Sequence, residues 1–231
     1  MSGFDWSPLW ISIKTAFAAT LISFILGMLA ARFVMYRKKE RTVWVLDGLF
    51  TLPLVLPPTV TGFLLLIIFS PVRPFGKFLQ DVFHIRLVQT WPACVIAAAV
   101  VSFPLMYRSA RSAFEEVDIN YIDAGRVLSY SEWQIFCRIV VPLAGPGIAT
   151  GTVLTFVRAL GEYGATVMFA GNILGRTRTV STAIAAEVAS NRYGSAAVWV
   201  VIILLISFSA VFCINLFAGH KVKTVSRWSV R

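Results

Sequence analysis

The side chains best placed to do chemistry are few, and most stand inside apolar runs. Arg158 and Glu162 lie four residues apart, which puts both on one helix face, where each can neutralise the other. An ionisable group at bilayer depth costs on the order of 2.5–3.5 kcal/mol unless paired or wetted. Two readings fit: a structural ion pair, or a pair bordering a solute path, with Arg158 attracting an anion and Glu162 controlling a gate. A second group is Leu52-Pro-Leu-Val-Leu-Pro-Pro-Thr-Val-Thr-Gly62. Pro53, Pro57 and Pro58 remove backbone donors and clash with the preceding turn, so a helix must bend or open there. Thr59 and Thr61 then offer hydroxyls to a pathway, or the kink only packs against a neighbour. Ser102-Phe-Pro104 is a weaker case of the same kind. This is hydrogen-bonding and charge chemistry, and no residue here is set up for covalent catalysis.

Other chemistries lack their residues. There is no Gly-rich phosphate loop, so hydrolysis of nucleotide is not expected of this chain. His84 and His220 are isolated, and Cys94, Cys137 and Cys213 have no ligand spacing. No metal site is implied, and the cysteines read as reduced packing residues.

The elements that position these residues are membrane helices. Of 231 residues, 58% are hydrophobic and 14% charged, and the mean hydropathy is +0.77. The net charge of +10 comes without basic-aromatic motifs or a soluble domain, so nucleic acid is not an expected partner. Five apolar runs approach the ~20 residues that cross ~30 Å as helix: Leu9–Val34, Leu46–Ser70, Pro92–Ala110, Pro146–Ala170 and Ala196–Ala218. The first lacks a charged leader and a small-residue cleavage site and is read as a retained span. Lys14, near its outer end, is expected to snorkel to the interface.

Charge sets the orientation. Thirteen basic residues fall in the turn after the first run, in and beside the segment from 111 to 145, and in the tail; six fall in the two opposite loops. By the positive-inside rule the N-terminus is outside and the C-terminus in the cytoplasm. The outer loop Pro71–Trp91 carries Pro71, Pro74 and Gly76, which argue against continuous helix at its start. In the other, Thr179–Ser190 has helical periodicity but is too short and polar to span; it is expected on the membrane surface or a partner.

The polar segment between the third and fourth runs contains Tyr121 to Ile148, YIDAGRVLSYSEWQIFCRIVVPLAGPGI. Over Ala113–Leu128, Phe114, Val117, Tyr121, Ala124, Gly125 and Leu128 form an apolar stripe opposite Glu115, Glu116, Asp118, Asp123 and Arg126. Its acidic face would be repelled by anionic lipid, which favours a protein groove as its binding place. Val141-Pro-Leu-Ala-Gly-Pro-Gly147 turns the chain back into the membrane.

Asp123-Ala124-Gly125, then Ser129, then Ile139-Val-Val-Pro142 resembles the EAA loop, E-A-A-x3-G-x9-I-x-L-P, of importer-type ABC permeases. Asp123 and Ser129 stand where that family usually has Glu and Gly. The proline-rich segment, Ser102-Phe-Pro-Leu-Met106, Arg158-Ala-Leu-Gly-Glu-Tyr-Gly-Ala-Thr166 and Asn172-Ile-x-Gly-Arg-Thr-x-Thr179 are similar, in order, to the molybdate permeases of this class. The resemblance implies an all-α, five-span permease domain over residues 1–231, of the type I ABC importer kind, with a cytoplasmic coupling helix in the 111–145 loop. It implies a homodimeric pore in a bacterial inner membrane, two cytoplasmic ATP-binding subunits, a periplasmic molybdate-binding protein, and ATP used by the partner rather than bound here. Glu116, Asp123, Ala124, Gly125 and Ser129 would form the docking face, and Thr59, Thr61, Ser102, Arg158 and Glu162 the path or gate. Sulfate or tungstate is the alternative substrate. A secondary transporter, or a membrane adaptor using the polar segment as a docking peptide, is the alternative class.

Overall fold

The computed structural model describes residues 5–222 apart from residue 38, with side chains to residue 212. The basic tail from Lys223 onward and the side chains of Lys38, Cys213, His220 and Lys221 lie outside the described residues. The order is α1 (Ser7–Met35), α2 (Glu40–Val55), α3 (Pro58–Phe69), α4 (Pro74–Phe83), α5 (Trp91–Glu115), α6 (Ile119–Val127) and α7 (Glu132–Ile135). A π-helical stretch, Phe136–Val140, then leads into α8 (Val141–Leu143), α9 (Gly145–Leu160), α10 (Gly164–Phe169), α11 (Val180–Ala189) and α12 (Tyr193–Val222). Among the described residues there is no strand.

Helices in lipid gain little from the hydrophobic effect against each other, so small residues that allow close approach hold such bundles together. α1 and α5 form the central pair. Ala16 and Ala19 share one buried cluster with Ala98 and Ala99. A Cβ added at Gly27 would sit 2.9 Å from Met106 Cγ and 3.0 Å from the Tyr107 amide nitrogen. α9 crosses α5 through Gly147 and Gly151, a small-x-x-x-small pair; added Cβ atoms there would lie 2.7 Å from Ala113 Cβ and 2.3 Å from Ser109 Cβ. α2 is tied to α5 by polar contacts: Asp47 accepts from Tyr107 Oη at 2.9 Å and from Arg111 Nη1 at 2.8 Å, and Arg111 also meets Glu115 at 2.7 Å.

α1, α5 and α12 are each long and apolar enough to cross a membrane. Two bent pairs reach that length only together: α2 with α3, turned by 107°, and the Glu132–Leu143 segment with α9, turned by 74°. The expected opening of the second run at its prolines is present at Leu56–Pro57, between α2 and α3. Pro53, by contrast, stays inside α2.

Several expectations need correction. Ser102-Phe-Pro104 does not break its helix; α5 runs through Pro104 to Glu115. The run Pro146–Ala170 is not one helix, because α9 stops at Leu160 and α10 starts at Gly164. The Ala113–Leu128 stripe is two helices parted at Glu116–Asp118, where Asp118 caps α6 by accepting from the Asn120 amide at 2.9 Å. Pro71–Trp91 starts without helix, as expected, and then carries α4: Pro74 sits in its first turn, where a missing N–H costs nothing, and Gly76 lies so close to the Ser70 carbonyl that any Cβ would collide. The helix in Thr179–Ser190 packs on its own chain along one side. α11 buries Val180 and Ala183 against Trp199 and Leu9, and the Val180 amide donates to Ser12 Oγ at 2.7 Å. Cys94 is buried, but Cys137 is exposed rather than packed. Lys14 caps the ring of Trp91, 4.8 Å from its centroid, and Trp91 Nε1 donates to Thr15 Oγ1 at 2.9 Å.

Candidate functional site

Two regions carry the candidate residues: the segment from α5 to α9 at one end of the bundle, and the seam between α3 and α10.

In the first, α6 rests on the π-helical stretch through Gly125, which is buried. A Cβ there would lie 2.7 Å from Ile139 Cδ1 and 3.1 Å from Ile135 Cγ1. Ile122 is partly buried against the same cluster. The opposite side carries Ile119 (57% exposed), Tyr121 (56%), Val127 (84%) and Leu128 (66%), beside exposed Asp123 and Ala124. The expected stripe therefore divides differently: Tyr121, Ala124 and Leu128 face away from the chain, and Val117, Ile122 and Gly125 face it. Contiguous exposed apolar side chains on one side of a helix mark a contact with a protein or a membrane.

Ion pairs fix this helix to α7. Arg126 meets Asp123 at 2.9 Å and, across the turn, Glu132 at 3.0 Å. Arg126 holds the Glu132 carboxyl below its ordinary range, and the Arg126 guanidinium is itself pushed up by the same hydrogen bonds. The Glu132 contribution is thus present above the ordinary carboxylate pKa and lost as pH falls through the lowered one. Ser131 and Gln134 form a capping box, the Gln134 amide donating to Ser131 Oγ at 3.3 Å and the Ser131 amide to Gln134 Oε1 at 2.8 Å. Arg32, at the end of α1, stacks on Trp133, 4.3 Å from the ring centroid, and so joins the first span to this segment. Glu116 is exposed at the end of α5, with Ser112 Oγ 3.5 Å away.

Ser129 has φ +60, in the left-handed region that costs a non-glycine residue roughly 1–2 kcal/mol. The Tyr130 amide donates to the Gly125 carbonyl at 3.1 Å across it, so the turn demands this backbone. Ser129→Gly is expected to raise stability by up to about 1 kcal/mol, read as a small rise in Tm of the purified protein.

In the second region two glycines let α3 and α10 touch along their backbones. A Cβ on Gly62 would meet Ala165 Cα at 2.7 Å, and one on Gly164 would meet Pro58 Cβ at 2.9 Å and the Thr59 nitrogen at 3.2 Å. Backbone cannot yield as a side-chain end can, so Gly62→Ala is expected to cost about 1–3 kcal/mol, seen as a lowered Tm. Glu162 occupies the break between α9 and α10, 3% exposed. Its Oε1 accepts from the Ala165 amide at 2.8 Å and its Oε2 pairs with Arg158 Nη1 at 2.9 Å. One carboxylate therefore satisfies a helix start and a cation together. Thr61 is buried, and its hydroxyl has no hydrogen-bond partner among the described residues; Thr59 is exposed in the preceding turn.

Thr59, Thr61 and Glu162 thus gather at this seam, with Arg158 one turn away. Ser102 does not join them. It is 3.1 Å from Ser23 Oγ and pins α5 to α1. Sequence reading passed over Gly62 as a seam residue, and over Asp47 as the α2 anchor. The Gly147-x-x-x-Gly151 spacing was a legible signal for the α5–α9 crossing.

The architecture is that of an ABC importer permease. It is similar to a chain of a bacterial alginate importer (TM-score 0.73, 14% identity, covering 96% of this chain and 79% of that one). It is also similar to a chain of the inward-facing MetNI methionine ABC transporter (TM-score 0.64, 14% identity, 91% and 94%). Residues 23–221 match the family described as binding-protein-dependent transport system inner membrane component, and the chain belongs to that family. It is an integral membrane protein and a pore-forming subunit, with ATP hydrolysis in a separate subunit. Among curated relatives, YvgM of Bacillus subtilis (strain 168), provisionally named a molybdenum transport system permease protein, is 44% identical over 209 residues, 90% of this chain and 92% of that one. The molybdenum transport system permease protein ModB of Escherichia coli (strain K12) is 42% identical over 180 residues, 78% of each. The sulfate transport system permease protein CysT of the same strain is 34% identical over 206 residues, 89% and 73%.

Proposed function

We propose that this chain is the permease of a molybdate importer that works by alternating access. The observation that carries the reading is the exposed apolar side of α6. It sits on a helix packed to its own chain through Gly125 and followed by the Ser129 turn, in a protein whose relatives at 42–44% identity are named for molybdenum transport.

In this reading the chain spans the bacterial inner membrane five times, with α2–α3 and α9–α10 each counted as one span and the 111–145 segment in the cytoplasm. Its N-terminus is outside and its C-terminus in the cytoplasm, as the basic residues of the polar segment and the 34–46 turn favour. Two copies form the pore. A periplasmic protein delivers the oxyanion, and two ATP-binding subunits dock on the outward side of α6 and its flanks, over Glu116, Asp123, Ala124 and Ser129, while Gly125, expected on the docking face, instead seats α6 on its own chain. Closure of those subunits drives the two α6 helices together. The motion reaches the spans through the Arg32–Trp133 stack and the Asp47–Arg111 tie.

The gate lies at the α3–α10 seam. Thr59 and Thr61 supply hydroxyls, Glu162 holds the break, Arg158 gives the path a positive charge, and Ser102 sets α5 against α1. Selectivity among tetrahedral oxyanions rests mainly with the periplasmic protein. The test is uptake of labelled molybdate into cells deleted for their own molybdate permease and supplied with this chain and its partner subunits. Restored uptake is expected. Uptake of sulfate alone would contradict the substrate, and unaltered coupled uptake by Thr59→Val, Ser102→Ala and Glu162→Gln would remove the gate assignment.

A further inference from the structure

Two cavities in the crevice between α1, α2 and α5 share a wall. One, of about 680 Å3, opens at the end of α1 and is lined by Leu29, Arg32, Phe33, Tyr36, Arg37 and Phe50. The other, of about 380 Å3, is apolar and lies deeper, between Ile22 and Leu26 on one side and Phe50, Pro53 and Phe103 on the other. Phe50 lines both. From Arg32 to Ile22 is ten residues of helix, about 15 Å at 1.5 Å per residue, or half the depth of a hydrocarbon core of about 30 Å. The crevice is therefore cationic at the membrane edge and apolar for one leaflet's depth.

The cations at its mouth have no ion-pair partner among the described residues. Arg32 Nε is buried with no hydrogen-bond partner among the described residues. Its guanidinium is surrounded by the rings of Trp133, Phe136 and Tyr36, at 4.3, 4.9 and 5.4 Å. Arg37 lies over Phe33 at 3.8 Å. Neither arginine enters an ion pair among the described residues, and Glu132 on neighbouring α7 spends its carboxylate on Arg126. Aromatic faces steady a guanidinium but leave its in-plane N–H donors open, and a buried donor left unmade is costly. A phosphate diester meets that geometry, and basic pockets between membrane helices take anionic headgroups in this way.

We propose that this crevice binds one anionic phospholipid, its phosphate on Arg32 and Arg37 and an acyl chain in the slot between Leu26 and Phe103. Because Arg32 also stacks on Trp133, the lipid would brace the end of α1 against the segment that carries α6. The site depends neither on the transported solute nor on the orientation, so it can fail while the transport reading stands.

The test is native mass spectrometry of the full chain in a neutral detergent, titrated with phosphatidylglycerol, phosphatidylcholine or inorganic phosphate. One phosphatidylglycerol is expected per chain, retained at least tenfold better than phosphatidylcholine and not displaced by millimolar phosphate. Arg32→Gln and Arg37→Gln should each weaken it about fivefold to tenfold, and Leu26→Trp, which fills the slot, should do the same. Arg32 is also a packing residue, so Arg37→Gln and Leu26→Trp carry the test if Arg32→Gln does not fold. Equal retention of the two lipids would overturn the proposal. So would displacement by phosphate with no effect of Leu26→Trp, which would mark a free-anion site. Binding to monomers but not to dimers would do the same, since a second copy would then be covering the crevice.

Discussion

Gly125→Leu is expected to abolish coupled uptake while leaving the spans folded. The only room for a side chain at this position is held by Ile139 Cδ1 and Ile135 Cγ1, at 2.7 and 3.1 Å from the first added carbon. Those are side-chain ends and can give way to a methyl group, so Gly125→Ala should be mild. A leucine adds three further carbons and must lift α6 away, at about 1–3 kcal/mol for overpacking. Against that, α6 is nine residues long and is otherwise held by Ile122 and by the exposed Arg126–Glu132 ion pair, which solvent screens. Lifting α6 takes the exposed side of Ile119, Tyr121, Val127 and Leu128 out of register with its partner. The measurement is the amount of ATP-binding subunit that co-purifies, expected to fall at least tenfold, with Tm of the isolated chain little changed. Wild-type co-purification together with wild-type uptake would show that α6 is not the docking element.

The second large effect is at Glu162. Glu162→Ala strands a buried amide and an arginine at once. Arg158 keeps a third of its side-chain surface in solvent, so the loss is put at about 2–3 kcal/mol, below the full cost of breaking a buried pair. Glu162→Gln retains an acceptor for the Ala165 amide and loses only the charge. The pair of variants separates two roles. The alanine variant should unfold at a clearly lower temperature. The glutamine variant should fold near wild type yet take up molybdate at least tenfold more slowly, because the charge at the helix break is gone. Full uptake by a well-folded glutamine variant would make the pair structural only.

How much of the fold is legible in the sequence depends on the range of the forces involved. The bend at Leu56–Pro57 was legible because proline acts through its own ring and the preceding turn. The Arg158–Glu162 pair was legible because a helix brings i and i+4 together. The break at Gly161–Tyr163 was not: Leu160 to Phe169 stays apolar on average, and the stop is set by a carboxylate capping α10 while α3 presses against Gly164. Pro104 misled in the other direction, since neighbouring helices can accommodate a proline that would break an isolated one. Pro74 read as a breaker but starts α4, because proline is welcome in a first turn. The Asp47–Arg111 tie joins residues 64 apart in sequence, and no local pattern reports such a contact. At the polar segment the motif falls on α6 and the turn after it, and of its residues Gly125 is turned toward the chain. Which side of α6 faces outward follows from Gly125, where the missing side chain lets the helix approach its own chain, with Ile122 on the same side.

The central claim is tested most directly by ATP hydrolysis in proteoliposomes holding this permease, its ATP-binding subunit and the periplasmic protein loaded with molybdate, sulfate or nothing. Hydrolysis is expected to rise several-fold with the molybdate-loaded protein alone. Equal stimulation by sulfate would widen the substrate to tetrahedral oxyanions, and no stimulation by any loaded protein would contradict an importer that couples ATP through α6.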